Sequence, residues 1–62
     1  MNEDQELVLS MLSETPIGIQ DIVNKTGLTY LRIDAALMML QVKGFVLRYP
    51  KDQYIKIDKE AE

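Results

Sequence analysis

A small α+β fold, three helices followed by a two-stranded hairpin, is predicted by three observations. Residues 30–43 (YLRIDAALMMLQVK) carry apolar side chains at helical spacing over almost four turns. Thr26-Gly27-Leu28 before them is a tight-turn signal between two helices. Phe45-Val46-Leu47-Arg48-Tyr49 and Tyr54-Ile55-Lys56-Ile57 after them are β-rich runs joined by Pro50-Lys51-Asp52-Gln53. That order, with a short strand ahead of the second helix, is a winged helix-turn-helix.

Each element has its own signal. Met1 to Gln5 is polar and is expected to be a flexible N-terminus. The first helix is expected over 6–13, with Val8, Leu9 and Leu12 on one face and Leu7 and Met11 widening it. Asn2 and the acids after it suit the positive helix start. Glu14-Thr15-Pro16 ends that helix, because proline pushes the preceding residue toward extended backbone. A very short strand is expected over 15–17, and Gly18 breaks the chain again. Ile19, Ile22 and Val23 then give a two-turn helix over 19–25, too short to stand without neighbours. Gly27 supplies the left-handed residue after it, Leu28 plugs the space between helices, and Thr29 caps the next one.

In the long helix Ile33, Leu37 and Leu40, with Ala36 alongside, form the expected core stripe. A second apolar stripe runs through Leu31, Ala35, Met38 and Val42, with Met39 beside it. Its few polar positions are Arg32, Asp34, Gln41 and Lys43. A 62-residue domain cannot cover both faces of such a helix. Gly44 stops the helix, and Pro50 suits the second position of the turn between the strands. The domain is expected to span 6–57, with 58–62 a charged, disordered tail.

Composition narrows the function. A chain this short buries only about 60% of the surface it exposes when unfolded. It holds no Cys and no His, so disulfides and the usual zinc sites are excluded and no metal or cofactor is expected. At 47% apolar it has more hydrophobic surface than a small core can hide, which favours a dimer or a docking surface. No run approaches a membrane span and no signal segment opens the chain, so the expected place is the cytoplasm. Net charge is −3, but the acids sit at the two ends and residues 15–57 carry a net +3. A weakly basic face is therefore available to nucleic acid.

The run from Pro16 to Ile57 resembles the winged-helix module at the C-terminus of DprA/Smf DNA-processing proteins. Ile19, Ile22, Thr26-Gly27-Leu28, Ile33, Leu37, Leu40, Gly44-Phe45-Val46 and Tyr54 fill the places of that pattern. Gln41 departs from it, standing where an acid is frequent. The resemblance implies a part in single-stranded DNA uptake and recombinase loading during natural transformation. It also implies that a larger nucleotide-binding-like domain, with no counterpart in these 62 residues, is the main DNA binder. A Z-DNA-binding winged helix matches less well, with no Asn on the corresponding face of the long helix and no Pro-Pro-aromatic wing.

Two candidate surfaces follow. Thr29, Tyr30 and Arg32 at the start of the long helix, with Arg48 and Lys51 in the wing, are placed to contact DNA bases and phosphates. The competing reading makes Thr29 a cap, Arg32 and Asp34 solvated surface, and Arg48, Lys51 and Lys56 charges that protect a strand edge. Leu31, Ala35, Met38 and Val42, extended by Leu7 and Met11, form a candidate protein interface, to which methionine lends adaptability. Catalysis is not expected, because no groups of matched pKa converge and Gly18, Gly27 and Gly44 are too isolated to cradle a phosphate. The leading expectation is an accessory DNA-processing module. It would bind DNA weakly and pair with itself or another protein, and would contact no membrane and no small-molecule substrate. The alternative is an interaction module that keeps the fold without DNA binding.

Overall fold

The computed structural model describes residues 1–57. The expected tail at 58–62 lies outside them. Six elements follow one another: α1 (Glu3–Ser10), β1 (Ile17–Gly18), α2 (Ile19–Thr26), α3 (Tyr30–Val42), β2 (Val46–Tyr49) and β3 (Gln53–Lys56). The fold is the expected α+β winged helix.

The N-terminus corrects the sequence expectation. α1 begins at Glu3 rather than at residue 6, so residues 3–5 belong to the helix. The side chain of Asn2 accepts from the Gln5 backbone N–H at 2.8 Å, and Glu3, Asp4 and Glu6 fill the first turn, where carboxylates complement the helix dipole. Gln5 is buried, and its side-chain oxygen accepts from Lys43 Nζ at 3.1 Å. The helix also stops earlier than residue 13. It closes with Met11 N–H to Val8 and Leu12 N–H to Leu9, three-residue bonds that keep Leu12 in the core. The chain can then extend, and Ser13 O accepts from Lys56 N–H at 2.7 Å.

β1 forms at Ile17–Gly18, two residues beyond where the Pro-containing segment was expected to begin pairing. It pairs antiparallel with β3, Ile17 opposite Tyr54, and β3 also pairs antiparallel with β2, Val46 opposite Lys56. The sheet order is therefore β1-β3-β2. The turn between α2 and α3 is as read: Gly27 has φ 76° and donates to Val23 O, while Thr26 Oγ1 donates to Ile22 O and accepts from Leu28 N–H. Gly44, at φ 84°, turns the chain out of α3.

The core is Val8, Leu12, Ile22, Ile33, Ala36, Leu37, Leu40, Val46 and Tyr54. Leu28 packs against it from the turn, and Ile19 and Val23 from α2. α3 contributes all four residues of its expected core stripe, so its opposite face is fixed to point outward. Among the described residues, no helix is long and apolar enough to cross a membrane.

Candidate nucleic-acid and protein interface

Two faces of α3 and the wing carry every residue the sequence singled out on them. At the start of α3, Thr29 caps the helix, its Oγ1 accepting from Arg32 N–H at 3.2 Å. The hydroxyl proton stays available to a phosphate oxygen. Tyr30 is exposed beside it. Arg32 is not an open cation. Its Nε and Nη2 grip the two carboxylate oxygens of Asp4 at 2.9 and 2.6 Å, a two-point pair that ties α3 to the first turn of α1. The guanidinium hydrogen-bonded to Asp4 holds that carboxyl below its ordinary value, and Asp4 in turn raises Arg32. Asp34 is half-buried on the other flank of α3.

In the wing, Arg48 pairs with Asp52 across the hairpin turn. Asp52 first, then the Tyr54 hydroxyl, raises the Arg48 guanidinium. Lys51 and Asp52 both take positive φ, 66° and 56°, in the turn that follows Pro50. Lys51 is exposed at that tip and, among the described residues, has no ion-pair partner. Lys56 is exposed on β3. Of the three cations chosen for DNA, two are thus paired with a nearby carboxylate. Sequence reasoning missed Asp4 because it lies 28 positions from Arg32, and only the α1–α3 packing brings them together. The Asp52 pairing had a signal in the short turn, since a hairpin returns the chain alongside Arg48.

The second surface is the apolar stripe. Leu31 is 76% exposed, Met38 59% and Val42 78%, and Ala35 and Met39 are exposed with them. At 3.6 residues per turn, Leu31, Ala35, Met38 and Val42 fall within an arc of about 60°, directly opposite the buried face. Neither the wing nor α1 folds over them. On α1, Leu7 is exposed, whereas Met11 is half-buried and adds little apolar area. Between the start of α1 and α3 lies an open groove of about 310 Å³, walled by Asn2, Asp4 and Gln5 on one side and by Leu31, Ala35 and Met39 on the other. No sequence signal points to it, because it depends on how α1 crosses α3.

The family described as DprA winged helix domain matches residues 2–51. The chain belongs to that family. The matched segment starts at the α1 cap and runs through β2 to the wing turn, so it holds all residues of both candidate surfaces. Comparisons with curated proteins and with solved structures returned no match. The DprA winged-helix assignment supports a module of a DNA-processing protein. Within this DprA winged-helix domain, the helix that such a fold would offer to a DNA groove presents hydrocarbon at its centre and a carboxylate-paired arginine at its edge.

Proposed function

We propose that this DprA winged-helix domain is a non-catalytic docking module of a cytoplasmic DNA-processing protein, and that it associates with protein through the outward face of α3. One observation supports this above the others. Leu31, Met38 and Val42 stand more than half exposed in a single stripe opposite the core. A contiguous apolar patch on so small a domain favours burial against a partner. A major-groove surface instead needs donors and acceptors aimed at base edges, and the stripe offers none. The module's place in natural transformation, implied by its family, would be to hold proteins together around DNA that another domain grips.

A weaker DNA contact is a second reading, favoured by the exposed Lys51 at the wing tip and by Tyr30 and Thr29 at the start of α3. One or two open cations release few counterions, so such binding would fade as salt rises. Residue-resolved NMR titration with duplex and then single-stranded DNA, at low and at moderate salt, tests both readings. The expected shifts are small, salt-sensitive and confined to Tyr30, Lys51 and their neighbours. Salt-sensitive shifts spread along Ala35, Met38 and Val42 would overturn the docking reading and make α3 a DNA-reading helix.

A further inference from the structure

The order of side chains along the exposed stripe is self-complementary, and the geometry points to a second copy of this chain as its occupant, with the two α3 helices packed antiparallel. This inference rests on the docking reading above and names its partner. Leu31, Ala35, Met38 and Val42 are spaced four, three and four residues apart, the alternating seam of a helix pair. A two-fold axis midway between Ala36 and Leu37, perpendicular to the helix, sets Leu31 against Val42 of the second copy and Ala35 against its Met38. Small meets large in the central layers, and two medium side chains meet in the outer ones. A parallel pair would instead oppose alanine to alanine and methionine to methionine, leaving a void beside a clash. Antiparallel packing also opposes the helix dipoles favourably.

The flanks follow from that axis. An antiparallel two-fold brings like flanks together. On one flank Asp34 then faces Gln41 of the second copy, a carboxylate opposite an amide that can donate to it. On the other flank Met39 and Lys43 of the second copy face Arg32, beside the groove between α1 and α3. That groove has apolar walls at Leu31 and Ala35 and a volume of about 310 Å³, and each copy offers its Met39 thioether to the groove of the other. Arg32 brings no unpaired charge to the seam, because Asp4 holds it. The interface is closed and isologous, as most homodimer contacts are.

Disulfide trapping tests the register, since the chain has no cysteine of its own. Leu31→Cys and Val42→Cys chains are mixed at high concentration and mildly oxidised, with Gln20→Cys as the control for random collision. The expected product is the mixed disulfide between positions 31 and 42. Two Leu31→Cys copies would lie about 16 Å apart along the helices, too far for a disulfide. Predominance of the 31–31 product would overturn the antiparallel register. Sedimentation of the unaltered chain should show a concentration-dependent dimer, and Met38→Glu should raise its dissociation constant about tenfold or more while leaving the helical circular dichroism unchanged. A 7.1 kDa monomer at every concentration, or a dimer that survives Met38→Glu, would overturn self-pairing. The two failures are separable. A monomer whose stripe ignores DNA sinks only the self-pairing, whereas DNA-induced shifts along the stripe sink the docking reading itself.

Discussion

Arg32 carries a formal charge that Asp4 cancels at close range, and this pair decides how the start of α3 behaves. The pair lies at the surface, with the Arg32 side chain 57% exposed and that of Asp4 27%, so its contribution to stability is modest and screened by salt. Its pH dependence has a definite sign. Asp4 is lowered in the folded state by its hydrogen bonds to Arg32. Its contribution is therefore full above the unfolded carboxyl value, about 3.9, and is lost as pH falls through the lower folded value. The stability difference between the unaltered chain and Asp4→Asn, followed by urea unfolding, should be constant from pH 7 down to about pH 5 and should shrink toward zero below about pH 4. Lys51 and Asp52 tell a different residue-scale story. Both sit at positive φ without being glycine, a conformation an aspartate tolerates better than a lysine.

At the scale of the element, α3 is a helix with two apolar faces and a start that depends on its cap. The Thr29 hydroxyl satisfies the Arg32 N–H, which would otherwise lack a partner within the helix. Thr29→Ala should therefore cost about 1 kcal/mol in chemical denaturation, and increased amide exchange should be seen first at Tyr30 to Arg32. The two faces have different origins. Ile33, Ala36, Leu37 and Leu40 are buried against α1, α2 and the sheet, as their spacing predicts. The second stripe was legible as apolar from spacing alone. That it stays uncovered followed from counting: the other elements are short, and most of their apolar residues pack on the first face, with Leu7, Leu47 and Tyr49 left exposed. The N-terminal boundary of α1 was less legible, because Asn2, Glu3, Asp4 and Gln5 carry no apolar period. Their helix is set by a cap and by Gln5 meeting Lys43 at the C-cap of α3.

For the whole molecule, the core is small and shared by every element. A stability of roughly 0.05–0.15 kcal/mol per residue amounts to about 3–9 kcal/mol for a chain this long. Leu37 is fully buried at the centre of that core. Leu37→Ala should cost about 2–5 kcal/mol, enough to leave a large fraction unfolded at 25 °C, seen as loss of amide dispersion in the NMR spectrum. The sheet is bound to the helical layer through Val46 and Tyr54 in the core, and to the segment after α1 through Lys56 N–H on Ser13 O. Local damage in either layer is therefore expected to spread.

Sequence alone determined the element order, the core stripe of α3, the left-handed turn at Gly27 and the existence of a surplus apolar face. These depend on near neighbours along the chain, on periodicity and on single-residue backbone preference. The tertiary structure decided which charges remain open. Arg32 and Arg48 read as available cations in one dimension, yet α1 crosses α3 so as to bring Asp4 to the first, and the wing turn brings Asp52 to the second. The tertiary structure also made the groove beside the stripe. Both outcomes depend on contacts between segments far apart in sequence or folded back on themselves, and periodicity carries no information about those distances.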